Sequence, residues 1–257
     1  MRKVAIVGIG QTPVGEHWDA SIRMLAADAV QAALDDAQVK TVDALYVGNA
    51  YGASFSSQSQ IGALVADYAG LGGIEAFTCE AGDASGGAAL RTGYLAVASG
   101  AVETALVIGV EKSSDTVSTA HVRARNVSLD ADFEAVHGAT LPALAALLMR
   151  RYMHEYGVDL SAFENFSINA HANGGKNAKA MYRNQIKPGA FARAPMVSDP
   201  INLFDSAPDA DGAAAVILTT AERAADLVPT PVEIIASAAA TDTMTLHERS
   251  NLLHLRA

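Results

Sequence analysis

The residues best placed to do chemistry share one turn. In the stretch Glu75 to Gly100, EAFTCEAGDASGGAALRTGYLAVASG, the apolar run Ala76 to Cys79 predicts a buried strand and Gly82 permits a backbone conformation closed to most residues. Ser85 reads as a helix N-cap ahead of an Ala/Gly-rich helix that Gly100 closes. Asp83 then stands at or just before a helix N-terminus, where unpaired N–H groups and the positive dipole end stabilise a thiolate, an oxyanion or a carboxylate. The plain role for an aspartate there is to complement the helix end. The chemical role is to act as a base or to hold a water for proton transfer. Cys79 is the single cysteine and lies inside the strand, where a thiol more often packs as a small hydrophobe than reacts.

Other groups are less specific. His17, His121, His154, His247 and His254 have no ligand-like spacing, so no metal site is expected. Lys176, Lys179, Arg183, Lys187 and Arg193 make the only basic-rich region and read first as a solvated loop. Gly8, Gly10 and Gly15 miss the GxGxxG spacing of a dinucleotide loop. Around Asp209-Ala210-Asp211-Gly212, Ala207 and Leu218 stand where a calcium loop needs carboxylates.

The elements that must position Asp83 alternate in type. Lys3–Gly8 is a near-continuous apolar run, the pattern of a strand covered on both faces. Asp19–Ala37 has Ile22, Leu25, Ala26, Ala29, Val30, Ala33 and Leu34 at helical spacing. Val42–Val47 predicts a second strand, Gln60–Ala69 a helix, and Thr104–Val110 a fourth strand after the opening strand and helix. This alternation predicts an α/β fold, an open and largely parallel sheet with helices on both faces, whose ligands gather at the carboxyl ends of the strands. Glu111–Asp132 reads as an irregular excursion, Ala139–Tyr156 and Ser161–Ala172 as helices, and Asn173–Phe204 as loops with one short helix. Asp211–Leu218 returns as a fifth strand, and Val232–Ala240 is a further strand.

The run Gly82-Asp83-Ala84-Ser85-Gly86-Gly87-Ala88-Ala89-Leu90, with Leu95–Gly100 and Leu106–Lys112 after it, resembles the nucleophile segment of thiolases. It is most similar to the sterol-carrier-protein-type and archaeal-like acetyl-CoA acetyltransferase branch, and Ser198–Asp205 and Asp211–Leu218 extend the likeness. The resemblance implies a thiolase-like α/β unit at residues 1–110, a loop or lid domain at 111–210, the return strand and helix at 211–230, and the start of a second α/β repeat at 231–257. The rest of that repeat, with its Asn-Glu-Ala-type loop, Gly-His-Pro histidine and second catalytic cysteine, is expected to be absent. In the family the residue before Ala-Ser-Gly is the cysteine that takes the acyl group from coenzyme A; here it is Asp83.

The same resemblance implies a coenzyme A thioester as substrate and no covalently bound cofactor. Ser85, Gly86, His137 and Ser206 would contact the coenzyme, with His137 lining the pantetheine tunnel and His171 structural. A carboxylate attacking a thioester gives a mixed anhydride and cannot match a thiolate. Asp83 therefore suits base chemistry in cleavage of a β-hydroxyacyl or β-ketoacyl thioester, as in thiolase relatives that act as retro-aldol lyases beside a small OB-fold, zinc-ribbon protein. That chemistry depends on Asp83 lying beside the first turn of a buried helix and facing a tunnel; an Asp83 turned to solvent, or a preceding strand at the outer margin of the sheet, would leave the fold without the chemistry. Two functions stay open: an acyltransferase or carbon–carbon lyase on acyl-CoA, and a noncatalytic acyl-CoA-binding or scaffolding subunit that kept the fold without the cysteine.

Composition sets outer bounds. The chain of 257 residues is half hydrophobic, which excludes a disordered class, and its formal net charge of −10 argues against nucleic acid as a partner. One cysteine excludes an internal disulfide framework or zinc ribbon in this chain. No signal peptide and no apolar run of membrane length are evident, so a cytoplasmic location without membrane association is expected. Half a fold would leave the helix after Asp83 open to water, so a homodimer, or a second chain supplying the missing half, is expected to cover it.

Overall fold

A computed structural model describes residues 1–255. In chain order the elements are β1 (Val4–Gln11), α1 (Ile22–Ala37), β2 (Ala44–Gly48), α2 (Gly52–Phe55), α3 (Ile61–Tyr68), β3 (Glu75–Cys79), α4 (Ser85–Ser99), β4 (Thr104–Glu111), α5 (Ser118–Arg125), α6 (Leu141–Tyr156), α7 (Glu164–Gly174), β5 (Met196–Ser198), β6 (Ile201–Asn202), β7 (Gly212–Thr220), α8 (Ala221–Leu227) and β8 (Val232–Glu233). Two units are distinct. The first joins Met1–Thr116 with Ala210–Ala239, and the second joins Val117–Asp209 with the segment from Ala240 onward.

The first unit is an α/β sheet in the order β3-β2-β4-β7-β1-β8. Strand β2 runs parallel to both β3 and β4, whereas β7 is antiparallel to its neighbours β4 and β1. The mostly parallel sheet follows from the alternating pattern, and the returning strand does enter it. Its position is the new fact: β7 separates β1 from the parallel trio. Alternation along the central strands feeds two cores, because successive side chains point to opposite faces. Leu45, Leu106 and Ile217 meet Leu25, Ala29 and Val30 of α1 and Ile61 of α3 on one face. Tyr46, Val107 and Leu218 meet Ala89 and Val97 of α4 on the other.

Small residues let these layers close. A Cβ placed on Gly10 would lie 2.0 Å from the Ala29 carbonyl oxygen and one on Gly8 2.6 Å from that of Ala33, so these glycines admit α1 rather than a phosphate. On the opposite face, a Cβ on Gly48 would lie 2.6 Å from the Ser85 oxygen. Helix α4 therefore rests almost on the backbone of β2.

Three local expectations change. The predicted excursion after Glu111 contains α5, and the predicted loops before Phe204 contain the antiparallel pair β5–β6. The strand expected over Val232–Ala240 shrinks to Val232–Glu233, paired with Ile6 and Ala5 of β1; the Ile234 N–H still reaches the Val4 carbonyl at 2.9 Å, but Ile235 beyond it is 92% exposed. In the second unit, α6 starts from a Thr140 cap whose hydroxyl accepts the Ala143 N–H, and Arg150 pairs with Asp199 ahead of β6. Among the described residues, no helix is long and apolar enough to cross a membrane.

A buried polar knot ties β4 to the start of β7. Asp211, 1% exposed, accepts the N–H groups of Ser113 (2.8 Å), Ser114 (2.9 Å) and His17 (2.9 Å), the Ser114 hydroxyl (2.6 Å) and the Lys112 ammonium (3.0 Å). Burial alone would raise the Asp211 pKa, but the bonds from Ser114, His17 and Lys112 outweigh it and hold the carboxyl well below its ordinary range. For Lys112, burial works against the ammonium, and its bonds to Asp115 and Asp211 more than offset that. A carboxyl depressed in the folded state contributes stability that is complete above its unfolded pKa and is lost as pH falls toward the native one. We therefore expect Asp211→Asn to destabilise the chain by about 2–4 kcal/mol at neutral pH in urea titrations, since it removes the buried carboxylate and leaves the Lys112 ammonium with Asp115 as its remaining counter-charge. The gap to the native protein should narrow below about pH 4, where aspartate in the unfolded chain protonates.

Candidate functional site

The turn between β3 and α4 is built from short-range bonds. Gly82 takes φ +54°, the left-handed region, and its N–H donates to Glu80 Oε1 at 2.6 Å. Ser85, 4% exposed, accepts the Ala81 N–H at 2.9 Å and donates its hydroxyl to the Gly82 carbonyl at 2.6 Å. The helix cap is Ala84, so Ser85 is the first helical residue rather than the expected N-cap. Its hydroxyl closes the turn instead of the helix. Gly100 ends α4 in the left-handed conformation, as its position predicts.

Asp83 sits on this turn and accepts a hydrogen bond from the Tyr51 hydroxyl at 2.9 Å. The expected enclosure is overturned: Asp83 is exposed, and β3 lies at the outer margin of the sheet. The cause is topological. Among the named strands β3 pairs only with β2, and α4 packs over β2 and β4, so the turn projects past the covered part of the sheet. Gly86 is also exposed, and a Cβ built on it or on Gly87 would meet no atom within 4 Å. Cys79 is half-buried with Sγ 3.8 Å from the Thr92 hydroxyl, packed against the core that contains Tyr46 and Ala89, which fits a small hydrophobe.

A second layer of polar groups holds Tyr51. Glu111, at the end of β4, accepts the N–H groups of Ala50 (3.1 Å) and Tyr51 (3.0 Å) and the Asn49 amide (3.1 Å). Asn49 in turn donates to the Val110 carbonyl at 2.8 Å, accepts the Gly52 N–H at 2.8 Å, and gives its own N–H to Cys79 at 3.2 Å. Burial pushes the Glu111 carboxyl up, and the bonds from Tyr51, Ala50 and Asn49 only partly counter that. Tyr51 itself is 6% exposed, with its ring edge-on to Phe55 at 5.5 Å. The carboxyl ends of β2, β3 and β4 thus form one braced group that delivers a phenol to Asp83. Sequence reading missed Asn49, Tyr51 and Glu111. The available signal was position, since Asn49 and Tyr51 lie within three residues of the end of β2 and Glu111 closes β4.

The remaining site residues fall in the second unit. His137 ends a 3-10 turn, Ala135–His137, and is exposed. Ser206 is half-buried, one residue past Asp205, whose carboxyl is raised by burial although it accepts the Asn202 N–H at 3.1 Å. His171 lies flat against Tyr182 at 6.2 Å and edge-on to Phe204 at 5.8 Å, with Nδ1 2.9 Å from the Asn184 oxygen, a packing role. Lys176, Arg183, Lys187 and Arg193 are exposed. The fold thus brings Asp83, Ser85 and Gly86 together on one turn, and places His137 and Ser206 in the other unit.

The two glycine types of the turn separate in a stability measurement. Gly82→Ala should cost about 1–2 kcal/mol, because its φ is left-handed. Gly86→Ala, in helical backbone with open space beside it, should be neutral or stabilising by about 0.5–1 kcal/mol. Equal losses at both positions in urea titrations would contradict this description of the turn.

Comparisons with known proteins identify the family. Residues 4–195 match the family described as thiolase, N-terminal domain. The acetyl-CoA acetyltransferase of Methanothermobacter thermautotrophicus is 40% identical over 259 residues, covering 100% of this chain and 67% of that protein. The 17-hydroxy-3-oxo-4-pregnene-20-carboxyl-CoA lyase of Mycobacterium tuberculosis is 29% identical over 245 residues, covering 92% and 62%. Among solved structures, the Ltp2-ChsH2(DUF35) aldolase matches with a TM-score of 0.79 at 27% identity, over 98% of this chain and 65% of that one. The chain spans about two thirds of the length of these two relatives. With this profile match and this degree of identity, the chain belongs to the thiolase N-terminal domain family.

Proposed function

We propose that this chain forms the first α/β unit of a thiolase-like enzyme that breaks or makes a carbon–carbon bond beside a coenzyme A thioester, with Asp83 as its general base. The observation that carries this is the Tyr51–Asp83 hydrogen bond on a turn at the carboxyl ends of parallel strands. Such ends are where open α/β sheets bind ligands. In the cleavage direction Asp83 takes the proton of a β-hydroxyl, the bond between the α and β carbons breaks, and its electron pair moves to the α carbon as a carbonyl forms. Asp83 then returns the proton to the α carbon, so atoms and charge balance. Tyr51 orients the carboxylate throughout. Ser85, Gly86, His137 and Ser206 are assigned to coenzyme A contacts, Ser85 through the backbone of the turn its hydroxyl secures.

The exposure of Asp83 and Gly86 and the marginal place of β3 count against an enclosed site within this chain alone, so the reading requires a covering surface, which would also bury the 56% exposed Phe77. That surface is a second copy of this chain or another polypeptide. The matched aldolase is named as Ltp2 with ChsH2(DUF35), which supports a partner chain here too.

Reconstituted with its covering partner, the protein should lose about 10²–10⁴ in kcat on Asp83→Asn, the range for a general base, with acyl-CoA affinity unchanged in calorimetry. Tyr51→Phe should cost about ten- to a hundredfold, as expected for a bond to a charged group. Gain of thiolysis by Asp83→Cys would support the position, whereas full turnover by Asp83→Asn would sink the base assignment. Retained affinity with no turnover in the native protein would leave a ligand-binding subunit.

A further inference from the structure

The segment Thr243–Leu253 lies in the second unit with little regular structure beyond a 3-10 turn at Leu246–Glu248. Several of its bonds are local: the Thr243 N–H goes to Asp242 Oδ1 at 2.8 Å, the Arg249 N–H to the Leu246 carbonyl at 3.2 Å and the Leu253 N–H to Asn251 Oδ1 at 3.0 Å. The Leu246 N–H crosses to Glu134 Oε1 at 3.0 Å, and the His247 ring lies 5.3 Å from that of Phe133. Glu134 is 6% exposed, and its other oxygen accepts the Asp130 N–H at 3.3 Å. Around this contact the docking is imperfect. The hydroxyls of Thr243 and Thr245 and Arg249 Nε are buried without a hydrogen-bond partner among the described residues, and Thr245 is 2% exposed. A polar group that water satisfies in the open chain and nothing satisfies in the docked one favours opening. Native structures hold few such groups, so three in one short stretch mark it out.

We propose that Thr243–Leu253 is a strap that opens and closes as one piece on the second unit, with Glu134 as its latch. Two opposed effects set the balance. A carboxylate acceptor for the Leu246 N–H holds the strap down, whereas the unmatched groups of Thr243, Thr245 and Arg249 lift it. Little apolar burial adds to the hold at its start, where Met244 is 60% exposed. Segments with few buried apolar contacts are the ones that open well below the free energy of global unfolding. The strap also forms one wall of a cleft of about 340 Å³, whose other wall is Arg151, Glu155 and Tyr156 at the end of α6. On the helix side Arg151 donates to Glu155 Oε2 at 2.8 Å, a bond that does not involve the strap. Opening therefore removes a wall of the cleft and leaves that pair in place. The device is separate from the chemistry proposed for Asp83, because its residues all lie in the second unit.

The test is backbone hydrogen exchange of the whole chain, followed by mass spectrometry and corrected for intrinsic rates. Peptides covering Thr243–Leu253 should exchange together, roughly a hundredfold or more faster than those of β4 and β7 and at least about tenfold slower than unfolded peptide. Glu134→Ala should raise the strap rate about tenfold with the sheet rates unchanged, and Glu134→Gln, which keeps an acceptor without the charge, should fall between. Thr245→Val removes an unmatched hydroxyl at nearly constant shape and should slow strap exchange about threefold or more. That variant decides the matter if circular dichroism shows that Glu134→Ala does not fold. Strap protection equal to that of β4, no protection at all, a folded Glu134→Ala chain with the native strap rate, or a Thr245→Val strap that opens as fast as the native one would overturn the proposal.

Discussion

The seating of α4 directly on the backbone of β2 is the constraint on which the site depends. Gly48 leaves no room for a side chain between that strand and the Ser85 carbonyl, and Gly93 admits Val107 in the same way farther along. With the helix pressed this close, its first turn must begin at the carboxyl end of the strands, and the chain from Cys79 has only five residues in which to turn into it. A left-handed Gly82 and the inward Ser85 hydroxyl make that turn possible. Asp83 is left on the outside of it. Interiors packed at crystal-like density leave little freedom to adjust such a contact, so its geometry is inherited by the site.

Two buried carboxyl groups then divide the labour at the end of β4. Glu111 gathers the loop after β2 and so fixes Tyr51, while Asp211 gathers Lys112, Ser113 and Ser114 and so fixes the entry of β7. Their surroundings push them in opposite directions. Glu111 receives only neutral donors and burial raises its pKa; Asp211 has an ammonium among its donors and is depressed. Adjacent residues of one strand end, Glu111 and Lys112, thus serve the site and the scaffold separately.

Much of this was legible in sequence because it rests on local pattern. Apolar periodicity located the strands and helices, and Gly82 and Gly100 announced their backbone conformations. Strand order was not legible: nothing in the β7 sequence states that it inserts between β4 and β1, and the marginal position of β3 comes from that order rather than from its own composition. The run Ala76–Cys79 looks buried as a string of residues, yet Phe77 is largely exposed, and among the described residues no strand lies beyond β3. Ser85 was misread as a cap because a serine before a helix has two possible partners, the helix and the preceding turn, and only the fold decides between them. Tyr51, Asn49 and Glu111 are brought together by pairings 60 and more residues apart, beyond the reach of any local pattern.

The central claim is that Asp83 moves a proton at the α carbon of an acyl thioester, and exchange into deuterated water tests it without requiring the full reaction. With the covering partner present, the native protein should place deuterium at the α position of an acyl-CoA, read by mass spectrometry, and the Asp83→Asn variant should not, although it binds the thioester equally well. Exchange that proceeds at the same rate in both proteins would contradict the account.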